Sequence, residues 1–205
     1  MPSLTILKRK FTVTDFDIYA AITDPAIARK NERDYAGYIG WEFEADTDSK
    51  VFDDEHWSPR FYCQIFVPPL NDWEELDGLK FSNDYDASRN DTIIRNPCVL
   101  YIFGHDVMGP LDFHFTRTKK RKAEFKMTAT GFCNPHWDDE YGTNVPFSFN
   151  ASFLFAGIHV TSNTVETASQ LLSEHMNVEN LVAGPKEDTE MRFKKEVGTF
   201  LFAPR

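Results

Sequence analysis

Leu111-Asp-Phe-His-Phe-Thr-Arg-Thr118 alternates apolar and polar residues, so Leu111, Phe113 and Phe115 share one face while Asp112, His114 and Thr116 share the other. Successive side chains of an extended strand point to opposite faces, whereas a helix would spread these residues around its axis. The stretch therefore reads as a strand with one face in a core. After Lys119-Lys-Arg-Lys122 the alternation resumes with Ala123, Phe125, Met127 and Ala129, which makes the two runs a hairpin with a basic tip. Phe147, Phe149, Ala151, Phe153 and Phe155 keep the same period. Leu154, Ala156, Ile158 and Val160 then make the opposite face apolar too, as expected of one central strand covered on both sides in its second half. Val197-Gly-Thr-Phe-Leu-Phe202 is the expected last strand.

Helical signals flank this β-rich centre. Thr14 or Asp15 is expected to cap a short helix through Ile22. Asp24-Pro25 has the form of an N-cap followed by proline at the first helical position, for a second short helix to about Ala36, stopped by Gly37. Asn163 with Glu166 three residues on opens an amphipathic helix whose apolar face is Val165, Ala168, Leu171, Leu172 and Met176, ending near Asn177. The expected fold class is α+β or mainly β. It would be an antiparallel sheet or two-layer sandwich of about six to nine strands, with a C-terminal amphipathic helix and a short N-terminal helical segment.

The chain's 205 residues, with 41% hydrophobic and 15% aromatic content, suit a single domain over residues 1–205 with a sizeable core and exclude disorder of the whole chain. No apolar run approaches the ~20 residues a membrane helix needs, and the first residues lack the pattern of a signal peptide, so a cytoplasmic location is expected. Cys63, Cys98 and Cys133 are few, odd in number and widely spaced, which reads as reduced thiols.

Charge is segregated. Between Glu42 and Asp91 there are 14 acids and 4 bases, while the remaining 18 acids and 18 bases cancel, so the whole net charge of −10 lies in that quarter. Such a balance repels phosphate backbones and suits a basic protein surface as partner, with neither nucleic acid nor membrane. Within the acidic quarter, Asn71-Asp-Trp-Glu-Glu-Leu-Asp77 surrounds an aromatic with carboxylates. An exposed Trp73 ringed by Glu74, Glu75, Asp77, Asp84 and Asp86 would combine a desolvating anchor with long-range attraction. The plainer alternative is that Trp73 is buried and the acids only keep a Phe-rich protein soluble.

Signatures of catalysis are sparse. Gly104-His-Asp-Val-Met-Gly-Pro-Leu111 has the gap of a phosphate loop but places Pro110 where a lysine is required. No nucleophile elbow, dinucleotide fingerprint or paired-cysteine motif occurs. Histidine meets carboxylate in Asp53-Asp-Glu-His-Trp57 and in His136-Trp-Asp-Asp-Glu140. His56 with Asp53 and His136 with Asp138 would supply nitrogen and oxygen ligands for a hydrolytic metal, if the two stretches met. Calcium loops are a poor fit, because the runs from Asp46 and from Asp84 lack the required glycine and glutamate. The leading expectation is thus a non-enzymatic interaction domain of the immunity, inhibitor or adaptor type, with no cofactor. A metal-dependent hydrolase or metal-binding domain is the alternative, and a small-ligand pocket inside the sheet points to no residue.

Overall fold

A computed structural model of the chain describes residues 1–31, 39–65, 67–68, 70–83, 98–119, 123–135, 142–187 and 197–205. Antiparallel strands dominate it. The chain forms two compact units, each assembled from three segments: Met1–Ile18, Glu42–Ile65 and Asp77–Leu154 make unit 1, and Tyr19–Trp41, Phe66–Leu76 and Phe155–Arg205 make unit 2.

Unit 1 contains β1 (Ser3–Ile6), the first part of β2 (Arg9–Thr23), most of β3 (Gly40–Thr47), β4 (Lys50–Phe52), β5 (Glu55–Trp57), β6 (Arg60–Ile65), β7 (Lys80–Asn83), β8 (Val99–Tyr101), β9 (His105–Arg117), β10 (Glu124–Cys133) and β11 (Val145–Leu154). Neighbouring strands follow the order β1-β11-β10-β9-β8-β6-β3-β2, and β1 also pairs β2, so eight strands form a closed ring of neighbours. A closed ring has no hydrogen-bonding edge left to template aggregation. β9 and β10 make the expected hairpin, with Phe113 opposite Ala129 and Phe115 opposite Met127. Residues 120–122 of its basic tip lie outside the described residues.

Alternation then builds the core, as every second side chain of the ring turns inward. Phe43 meets Phe16, Phe61, Phe113 and Phe149 at centroid separations of 6.0, 5.1, 5.9 and 6.4 Å. Phe16 also reaches Phe153, which contacts Phe115 and Phe125. Edge-on and offset ring pairs of this kind add about 0.5–1.5 kcal/mol each beyond burial.

Unit 2 carries the end of β2, α1 (Pro25–Asn31), β12 (Ile158–Ser162), α2 (Val165–Ser173), β13 (Leu181–Glu187) and β14 (Gly198–Pro204), with a single 3-10 turn at Trp73–Leu76. Its sheet runs β2-β12-β14-β13, and β12 lies parallel to β2 with Ile158 opposite Ala20. α2 packs Ala168, Leu171 and Leu172 inward. Its N-cap is Thr164, whose hydroxyl accepts from the Thr167 amide at 3.2 Å, rather than the expected Asn163, and the helix is shorter than its apolar face suggested. Two strands follow it, so α2 is not the last element. No helix among the described residues is long and apolar enough to cross a membrane.

Three sequence expectations are corrected here. Thr14–Ile22 is not helical: it lies within the 15-residue β2, where Phe11 is buried but the phase shifts at the exposed pair Thr14 and Asp15, so that the inward positions beyond it are the even-numbered Phe16, Ala20 and Ile22. That slip hides the period of two. Residues 147–160 are two strands in different units rather than one, because the chain turns at Gly157, with φ +130°, between β11 and β12. Fourteen strands are present among the described residues against six to nine expected, the excess being short ones such as β4, β5 and β8, three residues each, too brief to display alternation. For the second N-terminal helix, Asp24 accepts from the Ala26 amide at 2.8 Å and α1 begins at Pro25, while residues 32–38 lie outside the described set.

Candidate interaction face

The outer surface of unit 1 collects carboxylates where β2 and β3 lie side by side. On β3 the inward residues Phe43 and Ala45 alternate with Glu42, Glu44 and Asp46, which the pleat turns outward. On β2, Asp15 and Asp17 flank Phe16 and are exposed. Contact between the Phe16 and Phe43 rings aligns the two strands at that level, so these five acids share one outward face.

β6, the other neighbour of β3, answers part of this charge. Arg60 forms ion pairs with Glu44 and, at 3.4 Å, with Asp46. Those side chains remain 53%, 40% and 54% exposed, which limits each pair to about 0–1 kcal/mol. Gln64 donates to Glu42 at 3.2 Å. Tyr62 completes the row: burial, then the Glu42 carboxylate whose hydrogen bond it donates, push its phenol up to about 12. It therefore stays a neutral donor at physiological pH. Among the described residues, then, carboxylates predominate on this face and Arg60 offsets part of their charge.

The acidic segment singled out in the sequence is placed differently. Trp73 is buried at 7% exposure and stacks on Phe155, 5.8 Å between centroids, so of the two readings the plainer one holds and Trp73 is a core residue of unit 2 rather than an exposed anchor. Phe155 carries Trp41 on it as well, at 5.6 Å, and an indole held in such a stack is not available to a partner. Glu74 is exposed. Glu75 accepts from both amides of Asn71, whose side-chain and backbone bonds hold its carboxyl below the usual range. Asp77 accepts from the Arg117 amide at 2.8 Å. Glu75 and Asp77 shape local turns. Asp84 and Asp86 lie outside the described residues.

The proposed metal ligands are also resolved in part. Asp53 and Asp54, with φ of +52° and +66°, form the two-residue turn between β4 and β5, the conformation that matches strand twist in a tight hairpin. Asp53 is ion-paired with Arg9, whose guanidinium lies 4.1 Å from the Trp57 ring centre and 4.8 Å from that of Phe52. His56 is exposed on that hairpin, opposite Val51. His136 and Asp138 lie outside the described residues. Among the described residues no three of His, Cys, Asp and Glu converge as a metal would require. Asp48, in the run considered for calcium, accepts from the Thr12 amide at 2.8 Å and pairs with Lys50 at 3.5 Å. Burial opposes its charge, but the Thr12 and Lys50 contacts prevail and hold its carboxyl below the usual value.

Inside unit 1 the rings of the described core residues touch one another. Open grooves occur on outer surfaces, one of about 750 Å³ between α2 and β13 and one of about 370 Å³ over β7 and β9. The cysteine expectation is corrected too: Cys63 and Cys98 are joined as a disulfide, and Cys133 is the free thiol, buried.

Sequence reasoning missed Asp15 and Asp17 because Asp15 was read as a candidate helix cap and Asp17 fell within that expected helix. Glu42, Glu44 and Asp46 were counted in the acidic quarter, and the alternation of Trp41-Glu-Phe-Glu-Ala-Asp46 is the signal that separates them as a face. No family model matches the chain, and no curated protein or solved structure matches it either.

Proposed function

We propose that the protein is a non-enzymatic interaction domain, of the immunity, inhibitor or adaptor type, that presents the β2–β3 face of unit 1 to a basic protein surface. The observation that carries this reading is the outward alignment of Asp15, Asp17, Glu42, Glu44 and Asp46 on two adjacent strands. Carboxylates on adjacent rigid strands repel one another across the sheet, and a cluster of lysines or arginines relieves that repulsion on docking. Long-range attraction speeds encounter, while neutral donors such as Tyr62 fix register.

The test is binding of an immobilised lysine- and arginine-rich peptide library, with a matched acidic library as control. Captured peptides should bind at least tenfold more weakly to Asp15→Lys/Asp17→Lys/Glu44→Lys, and more weakly as ionic strength rises past the ~8 Å screening length of physiological salt. Binding indifferent to both changes would sink the reading. The alternative, a metal-dependent hydrolase or metal-binding domain using His56 and Asp53 with His136 and Asp138, is separated by elemental analysis: one equivalent of zinc, manganese or iron per chain, lost in His136→Ala, would favour it.

A further inference from the structure

The strand register of unit 1 sets four sulfur-bearing side chains on one level of the ring. β6 and β8 pair Phe61 with Leu100 and Tyr62 with Val99, so the next rung puts Cys63 opposite Cys98, with Cα atoms 4.0 Å apart. β8 and β9 pair Val99 with Val107, and the Met108 amide donates to the Cys98 carbonyl at 2.9 Å. β9 and β10 pair Met108 with Cys133. All four side chains are buried. Only the first two are joined.

We propose that Cys63–Cys98 is a reversible redox site, exchanging between disulfide and dithiol with small thiols of the glutathione class, and that its state controls how firmly β8 is held to β6. Reduction proceeds in two displacements. An external thiolate attacks the Cys63 sulfur, the Cys63–Cys98 bond breaks, and Cys98 leaves as a thiolate with the bonding pair. A second external thiolate then attacks the small thiol's sulfur in the mixed disulfide, forming the external disulfide and releasing Cys63. Two electrons pass from the external thiols to the pair, and their two protons end on Cys63 and Cys98. Oxidation by the external disulfide reverses both steps.

One contact favours this direction of attack. The Asn83 side-chain amide donates to the Cys98 sulfur at 3.5 Å, so negative charge growing there is received by a hydrogen bond, which makes Cys98 the better leaving group. β8 is three residues long, and exchange requires this short strand to open locally, because both sulfurs are buried in the closed state. The attacking thiol must be external. Cys133 stands two strands from Cys98, about 10 Å at ~4.8 Å per strand, and burial together with Asp106 pushes its thiol up to about 12.

The bond joins residues 35 apart in sequence, across a stretch that includes β7 and the Trp73–Leu76 turn. The ladder rungs and the Phe core remain when it opens, so the reduced protein stays folded.

The experiment equilibrates the full chain in glutathione buffers of varied ratio, quenches with acid, alkylates in denaturant and weighs the intact protein. In oxidising buffer one thiol should be alkylated and in reducing buffer three, with interconversion in the native state. Asn83→Ala should slow native reduction by about threefold or more while leaving circular dichroism unchanged, and Cys98→Ser should trap a glutathione adduct on Cys63. Three thiols in every buffer would mean that no bond forms. One thiol in every buffer, with reduction only after unfolding, would mean a permanent staple. Either result overturns the proposal.

Discussion

Gly157 sits at φ +130°, where a side chain's Cβ would lie 2.2 Å from the Phe202 carbonyl oxygen of the paired strand β14. Neither fault can be relieved by a rotamer change, since both involve backbone. Gly157→Ala should therefore lower the unfolding free energy by about 2 kcal/mol or more, read as a fall in urea midpoint at constant slope. His159, two residues on, stacks on Tyr19 at 4.5 Å, and burial pulls its pKa below 6.5 against the opposing pull of Glu187. A depressed folded pKa means that the unfolded chain binds the proton more readily. The stability linked to His159 is then fully present above about 6.5 and is lost as pH falls through that value toward the folded pKa. Urea midpoints should drop between pH 7 and pH 5, and less so in His159→Gln. At this scale the alternating Phe residues were legible because each strand position has only two choices, in or out. Trp73 was not, since a single 3-10 turn has no period to show which side chain faces inward.

Elements were legible in proportion to how long they kept one phase. The hairpin of β9 and β10 holds its alternation through Phe113, Phe115, Phe125 and Met127, and its register follows from that pattern. β2 is longer but shifts phase at Thr14 and Asp15, and the polar pair there mimics a helix start. For α2 the apolar stripe was visible, but Asn163 and Thr164 are both competent caps and the structure uses the second. Thr164→Ala should cost about 1 kcal/mol by removing the oxygen that satisfies the Thr167 amide, whereas Asn163→Ala should stay within about 0.5 kcal/mol. Chemical denaturation of the two variants side by side checks the assignment.

For the molecule as a whole, composition foretold a Phe-rich core and a charge imbalance but not their arrangement. Ring closure depends on β1 meeting β11, with Ser3 opposite Asn150, and no local pattern encodes a partner so far along the chain. The candidate face shares that dependence, because Asp15 and Asp17 join Glu42, Glu44 and Asp46 only through the pairing of β2 with β3. If that face is a docking surface, raising salt should weaken partner binding while leaving the thermal unfolding midpoint nearly unchanged, as its exposed ion pairs add little to stability.

The pairing of β1 with β11 also bears on how the protein is made. A ribosome synthesises Leu4 and Ile6 well over a hundred residues before Phe149 and Phe147, the residues that pair with them in the finished sheet. Throughout that interval the opening β1–β2 ribbon has a bare edge and an apolar face without its cover. Closure of unit 1 accordingly waits for β11 and is of the slow, non-local type, and until then those early strands are exposed to mispairing.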